Sequence, residues 1–122
     1  MSTVNKFLAP IDYGTTMISS KSKIINVTTP MLIDSFDGNL FRSAEYFVQL
    51  SQGSSFLTTR MLLIHNGVNV GVTEYATVDI GTSIPYTFDA TFSGTNLELT
   101  AQCSTGNVTP IELKYSRVLF DR

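Results

Sequence analysis

The chain has 122 residues, of which 43% are hydrophobic and only 15% charged, with a formal net charge of −2. That length makes one domain around one ordinary core. So flat a charge balance excludes the basic footprint of a nucleic-acid binder and the Lys/Arg belt of an anionic-membrane binder. A charged fraction well below the roughly one quarter of an average soluble domain leaves surface to be hidden against partners or covered by neutral polar groups. The abundant Thr and Ser supply part of that cover. Cys103 is the only cysteine, so no internal disulfide is expected, and a lone thiol reads as a small buried hydrophobe. No apolar run approaches the roughly 18 residues of a membrane helix. Met1-Ser2-Thr3-Val4-Asn5-Lys6 lacks the basic start and apolar stretch of a secretory signal. The expectation is a soluble chain made in a reducing cytoplasm.

Residues 1–20 carry Pro10, Gly14 and mixed polarity without a period. They read as an N-terminal arm that either packs on the domain or reaches a neighbouring subunit, and 21–122 read as a single β-sandwich domain. Lys23 to Thr28 and Met31 to Phe36 read as strands, closed by Asp37-Gly38-Asn39. In Leu40 to Ser51, the stretch Ser43 to Leu50 could be mistaken for a helix, but its aromatics and Val48 favour a strand. Gln52-Gly53-Ser54 turns the chain into Phe56 to Ile64, where Met61-Leu62-Leu63-Ile64 is apolar on both faces and predicts a strand central in its sheet. Asn66-Gly67 tolerates the positive φ of a tight turn into Val68 to Val78. A two-residue loop with His65 opposite Val68 and a four-residue loop, Asn66 to Asn69, keep the same residues on the same face.

Ile84, Tyr86, Phe88, Ala90 and Phe92 alternate with Thr87, Asp89 and Thr91, so one face is apolar and one polar. After Ser93-Gly94-Thr95-Asn96, Leu97, Leu99, Ala101 and Cys103 answer with the same period. Ile111 to Phe120 closes the chain, with Val118 and Phe120 on the face opposite Ile111, Leu113 and Leu119. The fold class expected is all-β, an antiparallel, jelly-roll-like β-sandwich of about eight strands.

Catalytic constellations are sparse. His65 is the only histidine, lies beside a turn, and has no serine in a nucleophile-elbow glycine pattern to serve. With Cys103 it falls short of the usual zinc sets, so its expected role is turn-stabilising or at the surface, and neither metal nor cofactor is implied. The glycines form no phosphate loop. Glu74 stands among Val70, Val72, Ala76 and Val78, where a carboxylate needs a cationic or hydrogen-bonding partner. Arg42, Glu45 and Arg60 are the other charges in or beside apolar strands. Together these four are candidates for a structural Arg–Glu pair, with Glu74 buried against Arg42, Arg60 or a backbone donor. A glycosidase pair of carboxylates is the sharper alternative, but nothing places Glu45 or Glu74 in a cleft and there is no Trp for a sugar platform.

The run Ile33-Asp34-Ser35-Phe36-Asp37, then Phe41-Arg42-Ser43-Ala44-Glu45-Tyr46 and Val48-Gln49, resembles a module of virion structural proteins in tailed phages of marine cyanobacteria. Leu62-Leu63-Ile64-His65-Asn66-Gly67 and Thr73-Glu74-Tyr75 resemble its second block. Phe88-Asp89-Ala90, Ser93-Gly94 and Lys114-Tyr115-Ser116-Arg117 resemble its closing hairpin and edge. The resemblance implies a particle component, often one module of a longer tail, fibre or baseplate chain, and brings no catalytic residues. With the module standing nearly alone behind a short arm, the expectation is a capsid decoration or a tail or baseplate accessory protein. It would be synthesised in the host cytoplasm and would act in the virion without enzymatic activity. Other virion proteins and copies of itself are the expected partners, with a trimer as the first guess and the arm or last strand in the contact. The alternative is a carbohydrate-binding module for host glycans, which exposed coplanar aromatics in a groove would favour.

Overall fold

A computed structural model describes residues 11–12, 16–104 and 109–122, with side chains from residue 19 onward. The strands are β1 (Ile11–Asp12), β2 (Thr16–Ile25), β3 (Met31–Asp37), β4 (Phe41–Gln52), β5 (Ser55–His65), β6 (Val70–Ile80), β7 (Tyr86–Ser93), β8 (Asn96–Cys103) and β9 (Ile111–Asp121). They form two antiparallel sheets, a six-stranded one in the order β1-β2-β9-β4-β5-β6 and a three-stranded one in the order β3-β8-β7. The fold is thus an all-β sandwich with one wide and one narrow layer.

The expected arm lies partly outside the described residues, but 16–20 belong to β2, which pairs with β9 from Thr16↔Phe120 to Ile25↔Ile111. A boundary at residue 20 therefore falls inside a strand.

Alternation builds the core. Tyr46, Val48, Leu50, Met61, Leu63, Ile111, Leu113, Tyr115 and Leu119 point inward from the wide sheet, and Ile33, Phe36, Ala90, Leu97, Leu99, Ala101 and Cys103 from the narrow one. The β7–β8 hairpin runs in the expected register from Tyr86↔Cys103 to Ser93↔Asn96, and the Cys103 thiol is buried, donating to Ile25 O at 3.4 Å. The loop between β5 and β6 is the four-residue form. His65 pairs with Val70, Asn66 N–H donates to Asn69 O at 3.2 Å, and Gly67 sits at φ 93°. The Asn66 side-chain oxygen accepts from Val68 N–H and Asn69 N–H at 3.0 and 2.8 Å, which closes the turn locally.

Two expectations are corrected. β5 is next to the edge strand β6 rather than central. Its apolar second face, Leu62 and Ile64, is exposed, because no other described residues cover the outer side of the wide sheet. The stripe Val70, Val72, Glu74, Ala76, Val78 does not keep one face either. Thr58 pairs with Val78 but Arg60 with Tyr75, so β6 holds an extra residue there, and Ala76 takes a left-handed φ of 56°. The bulge leaves Glu74 on the inner side, opposite Met61, and turns Val78 to the outer side, opposite Thr58.

Candidate functional site

The four charged candidates do not form one cluster. Arg60 Nη1 lies 3.7 Å from Glu45 Oε2 across the outer face, with both side chains partly exposed, and its guanidinium covers the Phe47 ring at 4.5 Å. Glu45 Oε2 also accepts from Tyr75 Oη at 2.7 Å, and that bond holds the Tyr75 phenol above its ordinary value. Arg42, the extra residue of a bulge between Phe41 and Ser43, donates from Nη1 to His65 O at 3.0 Å. Glu74 is exposed rather than buried, which corrects the sequence expectation. On an edge strand beyond the narrow sheet it stays hydrated, and it accepts from Tyr86 Oη. Burial first, then this bond, raises the Tyr86 phenol well above its ordinary value.

The buried ion pair is one that residue spacing missed. Asp34 and Arg117 join the two sheets, with Nη1 to Oδ2 at 2.7 Å and side chains only 7% and 15% exposed. Tyr46 Oη donates to the same Asp34 oxygen at 2.7 Å. Arg117 also donates to Ser35 O at 3.1 Å and, from Nε, to Ser19 Oγ at 2.8 Å. Burial works against the Arg117 charge, yet the Asp34 carboxylate outweighs it and holds the guanidinium above its ordinary value. Burial and then Asp34 likewise raise the Tyr46 and Tyr115 phenols far above theirs. Asp34 reaches the interior because β3 bulges between Leu32 and Asp34, so Ile33 and Asp34 both face inward. The available signal was Arg117 itself, on the inward stripe Ile111, Leu113, Tyr115, Leu119.

His65 is buried, with both ring nitrogens engaged. Gly67 N–H donates to Nδ1 at 3.0 Å, so Nδ1 carries the lone pair and Nε2 donates to Phe41 O at 2.6 Å. Phe92 packs edge-on at 5.2 Å. Beside it, Gly38, Gly67, Gly94, Thr95 and Arg122 line a recess of about 210 Å³ where three turns meet. With its nitrogens committed and a ring in its face, the imidazole is placed to tie the turn to β4 rather than to accept a proton from a substrate. Among the described residues no three His, Cys, Asp or Glu side chains could share a metal ion.

No protein-family model matches this chain, and no curated protein matches it. A solved phage protein shares its fold. The tailspike protein of Acinetobacter baumannii phage AM24 superposes with a TM-score of 0.51 at 9% identity, over 88% of this chain and 26% of that chain. Tailspike protein gp49 of A. baumannii bacteriophage Fri1, a capsular polysaccharide depolymerase, aligns over 90% of this chain and 19% of that one, with a TM-score of 0.47 and 8% identity. At such identities the likeness is one of fold: an all-β module that also occurs as a segment of a phage tailspike. This chain spans about a quarter of the length of the AM24 protein.

Proposed function

We propose that this chain is a non-enzymatic structural module of a phage particle, in or near the tail, that works by packing against other proteins. The observation that carries the reading is the outer face of the wide sheet. Phe47, Phe56, Leu62, Ile64, Val78, Ile80 and Phe120 all lie exposed on it, grouped at its two ends around the Arg60–Glu45 pair. The shared fold with part of the AM24 tailspike supports a tail setting, and the sequence blocks resemble modules of phages of marine cyanobacteria. A non-catalytic role is supported by the engagement of the polar groups. Glu45 is held by Arg60 and Tyr75, Glu74 by Tyr86, and both nitrogens of His65 are bonded within the fold.

The glycan-binding alternative has less support. Tyr46 and Tyr115 are core, the half-exposed Phe47 ring is engaged by the Arg60 guanidinium, and the exposed Phe56 and Phe120 stand at opposite ends of the face rather than side by side in a groove. Mass spectrometry of gradient-purified particles tests the proposal. The tryptic peptide from Ser43 to Arg60 should be present at a constant ratio to tail proteins. Its absence from intact particles, with the protein found only in the lysate, overturns the reading.

A further inference from the structure

We propose that the outer face of β9-β4-β5-β6 is the contact through which two copies of this chain associate. The inference names the partner of the same face on which the proposed function rests. Six side chains from adjacent strands, Phe47, Phe56, Leu62, Ile64, Val78 and Ile80, are between 43% and 70% exposed on this side. The register makes them neighbours. Phe56 faces Ile80, Thr58 faces Val78, Phe47 faces Arg60, and Ser43 faces both Ile64 and Phe120.

The size fits a stable pair. Four strands of about ten residues, spaced about 4.8 Å apart and rising about 3.3 Å per residue, cover about 600 Å² before side-chain relief is counted. A standard interface takes about 800 Å² from each partner.

The charges allow a second copy to dock on this face. The formal charges on this face come in opposite-sign pairs, Arg60 with Glu45 at 3.7 Å and Lys114 with Glu112 at 3.6 Å. A face of one sign would repel its own copy and favour a partner of the opposite sign. This one carries no net charge, so like can meet like across a two-fold axis. The two ends of the face also differ in shape. Phe56, Val78 and Ile80 border an apolar recess of about 520 Å³, while Leu62 and Ile64 stand exposed at the other end of β5. A two-fold axis near Phe47, at the middle of the face, sets each recess over the other copy's Leu62–Ile64 ridge, twice over, which is the self-complementarity of an isologous contact. Two sheets packed this way lie about 10 Å apart with strands within about 30° of each other.

Sedimentation velocity of the full chain from about 1 to about 100 µM, a range that brackets micromolar affinity, tests the proposal. The parent should sediment at twice 13.4 kDa at the upper end. Leu62→Glu and Val78→Glu should each raise the dissociation constant about 100-fold or more, since the two-fold buries the unpaired carboxylate twice. Both positions are exposed, so the circular dichroism spectrum of each monomer should match the parent. Ile24→Lys, on the same side of the sheet but on β2, should leave the dimer intact. A parent that stays monomeric overturns the proposal, as does a dimer that survives both Glu variants or one broken only by Ile24→Lys. A monomer still found in particles would leave the virion role standing, and a dimer absent from particles would remove that role alone.

Discussion

Replacing Asp34 with alanine strips one oxygen from two buried donors. Arg117 Nη1 and Tyr46 Oη both bond Oδ2 at 2.7 Å, Tyr46 is fully buried, and the Arg117 side chain is 15% exposed. Breaking a buried ion pair by removing one partner costs about 3–5 kcal/mol, because the other charge is left uncompensated. The orphaned Tyr46 hydroxyl adds a penalty of about 1–3 kcal/mol, which is not additive with the first in one network. Ser35 O and Ser19 Oγ remain for Arg117 and hold the total near the lower figures. About 4 kcal/mol is therefore expected, a large part of the roughly 5–15 kcal/mol that stabilises a domain. At about 4 °C per kcal/mol for this chain length, the melting temperature should fall by about 15 °C. Asp34→Asn keeps an acceptor without the charge and should lose about half as much. Tyr46→Phe, which leaves the ion pair in place, should lose about 1–2 kcal/mol. Urea unfolding followed by circular dichroism gives all three values. An Asp34→Ala protein within about 1 kcal/mol of the parent would show that the bridge between the sheets does not hold them together.

Alkaline pH probes the same network. Tyr46 is raised above its ordinary value of 10.0 by burial first and by Asp34 second. Its contribution is whole below pH about 10, where folded and unfolded chains both keep the proton. As pH rises further only the unfolded chain ionises, and stability falls by about 1.4 kcal/mol per pH unit. Tyr86 and Tyr115 are raised in the same direction and steepen the fall. Urea titrations between about pH 9 and about pH 11.5 should therefore show Tyr46→Phe losing stability less steeply than the parent, by up to about 1.4 kcal/mol per pH unit. At the β5–β6 turn, Gly67→Val forces a β-branched residue to φ 93° and should cost about 1–3 kcal/mol by thermal unfolding. Asn66→Asp keeps both side-chain acceptor bonds and should melt with the parent. Ala76→Gly relieves a left-handed alanine in the β6 bulge and should raise stability by up to about 1 kcal/mol, a rare gain from a glycine inside a strand. A loss there would mean that the bulge is not strained.

The sequence alone determined the class of fold and most of the core. Period-two alternation and turn chemistry are local properties, so Leu97, Leu99, Ala101 and Cys103, or Ile111, Leu113 and Leu119, declare their buried side without knowledge of their partners. The length of the His65 turn stayed open at that level, because both registers preserve the same faces and only the pairing His65↔Val70 separates them. Alternation fails where a strand gains one residue. The bulge at Ala76 split the stripe on which Glu74 seemed to lie, and the bulge at Ile33–Asp34 carried an aspartate inward that parity with Phe36 alone did not single out. The ion pair itself could not be read along the chain, since Asp34 and Arg117 stand 83 residues apart on different sheets and meet only when those sheets stack. The outer face is the mirror case. Leu62 and Ile64 read as the second buried face of a central strand because apolar residues are written alike whether their face is covered or not, and only the tertiary arrangement shows that no other described residues cover it.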